Sequence, residues 1–124
     1  MKFICTSNIP GTSQTSAALF PGSYQTGVNI HNPNAQDVRF RMKLASGIGI
    51  SEFRDGSLEP DGATSVTCAQ IRDFGLQLIH GFEGFLVIES MLSLDVVAVY
   101  TAGKNGNDGV TTMDVEYIRE RVLR

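Results

Sequence analysis

Residues 24–46, YQTGVNIHNPNAQDVRFRMKLAS, carry the reading that decides the fold. Tyr24, Thr26, Val28 and Ile30 alternate with Gln25, Gly27, Asn29 and His31, and the period of two is that of a half-buried strand. The second run repeats the device: Val38, Phe40, Met42 and Leu44 share one face, with Arg39, Arg41 and Lys43 on the other. One apolar and one polar face per strand is the antiparallel pattern. The link NPNAQD is made of turn-forming residue types, so the two runs are predicted to form a hairpin over 24–46. On this reading His31 and Asn32 mark the corner, where Pro33 ends the first strand.

The rest of the chain extends the same alphabet. Residues 47–62 are Gly-rich and looser, and SLEPDG carries a turn. ATSVTC (63–68) reads as a short strand, and AQIRDFG as about one helical turn stopped by Gly75. GFEGFLVIES and LDVVAVYTAG are apolar on both faces, which predicts strands at the centre of a sheet covered on both sides, with MLS as a tight connection. An arginine at Val97 or Val99 is therefore expected to unfold or aggregate the protein. VTTMDVEYIRERVL begins as a strand and is expected to run to about Ile118. Strands at this spacing, with Gly-rich links and almost no helical periodicity, indicate an all-β protein: a single antiparallel β-sandwich with at most one short helical turn.

Ahead of the sandwich, TSNIPGTSQTSAALFPGS is rich in Ser, Thr, Gly and Pro. It divides the chain into an N-terminal arm over 1–23 and a sandwich domain over 24–124. Such an arm is held in place only by docking on its own sandwich or on a neighbouring subunit.

Composition excludes several classes. The chain of 124 residues is 42% hydrophobic and 19% charged, and suits one globular domain. Its net charge of −3 lacks the basic excess of a nucleic-acid binder. The apolar runs FLVI and VVAVY are too short to span a bilayer, so no membrane insertion is expected. MKFICTSNIPG has no signal-peptide apolar region, which needs about 7–15 residues. The expected location is the cytoplasm, unless the protein leaves by a route that needs no such signal. Cys5 and Cys68, far apart and outside any Cys-x-x-Cys spacing, read as two half-buried thiols acting as small hydrophobes, with a single bridge between them as the alternative.

The motifs that would license chemistry are missing. His31, His80, Glu83, Asp95 and the cysteines show no metal-ligand spacing. No Gly-x-Ser-x-Gly elbow is present, and Ser90 lies at a strand end where its hydroxyl serves backbone groups. GKNGNDG lacks both the Walker pattern and the acidic periodicity of a calcium loop. Asp95 is expected to cap a turn or pair with an arginine. No catalytic residue, no metal and no cofactor is expected.

What remains is an interface. Arg39, Arg41 and Lys43 form a basic stripe, and Asp114 and Glu116 repeat its spacing on the last strand. The two sets are expected to oppose each other within the sheet or across a subunit boundary. His31, Asn32, Arg39, Arg41, Lys43, Asp114 and Glu116 are thus the candidate interface residues. The expected partner is a second copy or a larger protein assembly.

YQTGVNIHNP, LEPDGATSVTCAQI, GFEGFLVIES and LDVVAVYT together resemble a bacterial family of β-sandwich proteins, over about residues 24–118. That family carries no activity to transfer. In the order of its elements the chain is also similar, more distantly, to the sensory rhodopsin transducer family, which implies a self-associating all-β sandwich in the cytoplasm. Two functions follow as expectations: a non-catalytic module for self-assembly or protein interaction, or a sandwich that binds a sugar or metabolite in a sensory role. The second requires Tyr24, Phe53, Phe74 or Tyr100 to line a pocket.

Overall fold

A computed structural model describes residues 1–8, 22–75, 81–103 and 110–122. The strands are β1 (Lys2–Asn8), β2 (Gly22–His31), β3 (Val38–Ser46), β4 (Gly49–Ile50), β5 (Arg54–Leu58), β6 (Ala63–Val66), β7 (Phe82–Ser90), β8 (Asp95–Gly103) and β9 (Thr112–Tyr117). A 3₁₀ helix spans Cys68–Phe74. The side-chain alternation read from the sequence is present in space. Val38, Phe40, Met42 and Leu44 of β3 are buried, as are Thr26, Val28 and Ile30 of β2.

Every strand pairing is antiparallel, in the order β4-β3-β7-β1-β2-β8-β9, with β5 beside β3 and β6 beside β2. The sheet folds over so that two halves face each other. Phe40, Met42, Leu44 and Leu86 from β3 and β7 meet Val28, Ile30, Val66 and Ala98 from β2, β6 and β8 in one core. β1 joins the halves, because it pairs with β7 on one side and β2 on the other. The protein is an all-β sandwich with one short helical segment, as the sequence predicted.

The connectivity is not what the sequence predicted. β2 and β3 form no hairpin: the edges of β2 are taken by β1, β6 and β8, and those of β3 by β4, β5 and β7. Residues 32–37 instead cross from one half of the sandwich to the other. A hairpin and such a crossover need the same alternation and the same turn residues. They differ only in whether the two apolar faces lie side by side or face each other. Residues 91–94 make a second crossover, from β7 to β8, where a tight connection was expected.

Three further expectations are corrected. Residues 2–8, assigned to the arm, form β1, with Phe3 and Cys5 in the core. The stretch 9–21 lies outside the described residues. β5, within the region read as loose, pairs with β3 from Leu58 to Arg54, and Gly56 lies under the Phe40 ring, where a Cβ would sit 2.6 Å from it. Finally, β7 and β8 are interior to the sheet but not covered on both faces, since Phe85 is 52% exposed and Val97 and Val99 are half-buried on the outer face.

The cysteines are bridged. Cys5 and Cys68 form a disulfide with Cα atoms 5.7 Å apart, so the expectation of two thiols is overturned. β1 turns Cys5 inward. Thr67 and Gln70 form a capping box that starts the 3₁₀ helix and sets Cys68 over it, and Gly75 ends that helix in the left-handed region. Closing a separation of 63 residues contributes about 4 kcal/mol in the chain-entropy account.

Candidate functional site

The predicted interface residues fall into three places. His31 and Asn32 lie at one end of the sandwich, where three connections cross between the halves: 32–37, 59–62 and 91–94. Asn32 is fully buried. Its amide nitrogen donates to the carbonyls of Gln36 (2.9 Å), Leu58 (3.1 Å) and Glu59 (3.0 Å). Its side-chain oxygen accepts from the backbone and side-chain nitrogens of Asn34, both at 2.9 Å. Asn34 in turn donates to the Ser93 carbonyl at 2.8 Å. One asparagine pair thereby ties all three crossovers together. Buried in this way, Asn32 presents nothing to a partner, and its place among the interface candidates is withdrawn.

His31 sits beside that knot on the outer face. Its Nδ1 lies 2.8 Å from Asp95 and its Nε2 3.3 Å from Asp61. Among the described residues the partner of Asp95 is thus a histidine, where a turn or an arginine was expected. Asp95 faces His31 across the β2–β8 register. Asp61 takes a left-handed conformation (φ 61°) in the turn that Gly62 closes by donating to the Glu59 carbonyl. A neutral imidazole has a single N–H, so only the cation donates to both carboxylates. The Asp95 hydrogen bond, joined by Asp61 and opposed by partial desolvation, holds the imidazole above its ordinary value of 6.5.

The basic stripe occupies the outer face of the β5-β3-β7 half. Arg41 pairs with Glu89 of β7 at 2.7 Å and lies over the Phe53 ring at 3.8 Å, with Lys43 at 4.8 Å from the same ring. Arg39 is exposed. Asp114 and Glu116 are on β9, at the far edge of the other half, so the two sets do not oppose each other within the chain. A carboxylate of the neighbouring strand takes the place expected for β9, because pairing β3 with β7 brings Glu89 opposite Arg41.

Beside the predicted Asp114 and Glu116, β9 presents an apolar face that is not among the predicted interface residues. Among the described residues, β9 pairs with β8 alone and leaves its other edge open. Met113, Val115 and Tyr117 point outward and are 66%, 43% and 80% exposed. They lie in register with Thr101, Val99 and Val97 of β8, which gives an apolar strip across two strands. Beyond it Gly27 leaves the face bare, since a Cβ there would touch nothing within 4 Å. Asp114 and Glu116 project to the opposite face of β9, where Glu116 accepts from the Tyr100 hydroxyl at 2.7 Å. Burial and that carboxylate both push the Tyr100 phenol well above its ordinary range. The alternation of Thr-Met-Asp-Val-Glu-Tyr carried this signal. What the sequence hides is that the strand ends the sheet.

Of the aromatic residues expected to line a pocket, two come together and two do not. Tyr24 and Tyr100 share a cleft of about 170 Å³, Phe53 lies under Arg41 and Lys43, and Phe74 is buried in the core. A second cleft, beside His31 and Asp95, holds about 230 Å³. Small-molecule sites generally run to about 300–1,000 Å³. Among the described residues no three ligating side chains gather around a metal position. His80 and residues 104–109 of the polar loop lie outside the described residues, Glu83 pairs with Lys2 at 3.5 Å, and the Ser90 hydroxyl bonds the backbone of Leu92 in the second crossover. Among the described residues no helix is long and apolar enough to cross a membrane.

No protein-family model, no curated protein and no solved structure matches the chain. The family resemblance thus rests on the quoted motifs alone.

Proposed function

We propose that this protein is a non-catalytic β-sandwich that acts as a module for self-assembly or protein interaction, with β9 and the adjoining face of β8 as its docking surface. One observation carries the reading: among the described residues β9 is an open edge strand that continues into an exposed apolar strip. Protein chains protect such edges with charge, proline, bulges or a cover, because an unpaired edge is a template for another strand. Apolar residues gathered in one exposed patch, rather than scattered singly, mark interaction sites. The basic stripe offers less, since Glu89 and Phe53 already engage Arg41, and Phe53 engages Lys43.

The disulfide bears on where the module works. Such bridges persist in oxidising surroundings and are rare in the cytosol. The Cys5–Cys68 bridge favours an oxidising compartment over the cytoplasm expected from the sequence.

The test is site-specific photocrosslinking in the native host, with the reactive residue placed at Tyr117 or, as a control on the other half, at Ser57. Adducts at 117, whether of twice the chain's mass or with another protein, that vanish on adding Met113→Lys and Val115→Lys are the expected result. Adducts at 57 alone, or none at either position, overturn the reading.

A further inference from the structure

We propose that the open edge of β9 receives an extended strand of another protein in which cationic and apolar side chains alternate. The inference rests on the docking surface proposed above and names its partner's chemistry.

The backbone of β9 sets the geometry. Ile118 donates its N–H to the Val96 carbonyl at 2.9 Å, in line with the Val97–Tyr117 register. Antiparallel ladders alternate, so the N–H groups of Thr112, Asp114 and Glu116 also point at β8, and those of Met113, Val115 and Tyr117 point to the open edge. One of these has a local cap: the Asp114 carboxylate accepts the Val115 N–H at 2.9 Å. An incoming strand must supply a carbonyl to Val115 and displace that carboxylate.

The side chains then choose the strand. Residues directly opposite each other in a ladder share a face. Every second residue of a new strand therefore falls beside Asp114 and Glu116, and the others fall beside Met113, Val115 and Tyr117. A lysine or arginine opposite Asp114 pairs with the carboxylate and at the same time draws it off the Val115 N–H. A second β9 has the opposite effect. Antiparallel pairing of two copies sets Asp114 and Glu116 against Asp114 and Glu116, and like charges directly opposite are destabilising. The edge thus rejects its own copy and favours a strand of alternating cationic and apolar residues, a form of strand addition in which side-chain pockets give the specificity.

The test follows amide exchange in full-length protein with two capped hexapeptides, one alternating lysine with valine and one alternating glutamate with valine. The lysine peptide is expected to slow exchange at Met113, Val115 and Tyr117 by about tenfold, with no effect from the glutamate peptide. Asp114→Lys with Glu116→Lys is expected to reverse the preference, and Asp114→Asn with Glu116→Gln to abolish it; both sites are exposed, so the fold survives. Equal protection by both peptides overturns the charge rule. Protection that rises with protein concentration in the absence of peptide shows a second copy on the edge. That overturns the inference and leaves the docking surface standing. No protection by either peptide overturns the inference, and if crosslinks at 117 are absent as well the docking surface falls with it.

Discussion

The crossover end and the lateral β9 edge of the β2-β8-β9 half are built on opposite principles. At the crossover end, Asn32 satisfies three carbonyls and two donors from inside the protein, and His31 has an acidic partner on each ring nitrogen. Along β9, whose outer edge is open among the described residues, the N–H groups of Met113 and Tyr117 face outward, and the cap on Val115 comes from the residue next to it. Both stretches carry conspicuous polar residues, and in sequence the histidine–asparagine pair draws the eye first. The structure separates them by a physical criterion. Polar groups that saturate one another inside the fold hold it together, whereas groups left open on an edge are available to something else.

The sharpest way to break the comparison is to place the same charge on either side of β8. Ala98 is fully buried in the core, while its neighbour Val99 faces outward between Gly27 and Val115. Ala98→Arg buries an unpaired cation at a cost of several kcal/mol, comparable with the whole stability of a small domain, and is expected to yield no folded protein. Val99→Arg is expected to fold with a loss of about 1 kcal/mol or less in urea titrations. This revises the expectation from sequence, which placed Val97 and Val99 inside. A Val99→Arg variant that unfolds means that the apolar strip is covered, and the open face does not exist.

That error shows what a single sequence transmits here. Strand existence was legible, because period-two alternation is local: β2, β3, β6, β7, β8 and β9 lie close to their expected positions. Pairing was not. NPNAQD is equally good turn chemistry for a hairpin and for a crossover, and the choice depends on β1, β6 and β8 having claimed the edges of β2. VVAVY is apolar at every position, so alternation cannot say which of its faces is inside. β5 escaped notice because Arg54–Leu58 has little apolar alternation of its own, and Gly56 is small to admit the Phe40 ring. The partners of His31 lie 30 and 64 positions away, and Cys68 lies 63 from Cys5. No short-range pattern joins residues at such distances.

A second test deletes one polar side chain in each region. Asn32→Ala strips three carbonyls and two donors of their common partner, and is expected to cost about 3 kcal/mol, limited by water reaching the exposed Gln36 and Glu59. Asp114→Ala removes a carboxylate of similar size from an exposed position, and its expected effect lies within about 0.5 kcal/mol. Urea denaturation measures both. Equal losses would mean that the β9 edge is as tightly interlocked as the crossover end.

The smallest effect is the one that pH controls. With its folded-state pKa raised above 6.5, His31 binds its proton more tightly in the native protein than in the unfolded chain. Its contribution is therefore fully present below about pH 6.5 and is lost as pH rises through the folded value. Wild-type protein is expected to have a higher melting temperature than His31→Asn at pH 5.5, and the gap should narrow as the pH is raised past neutrality. Comparing variant with wild type cancels the contribution of His80, which both chains carry. Asp95→Asn should remove more of the gap than Asp61→Asn, because the Asp95 contact is shorter and Asp61 is the more exposed partner. A gap that is the same at pH 5.5 and pH 8.5 would mean that His31 serves by shape alone. The crossover end would then be held by Asn32 and Asn34 without help from a charge.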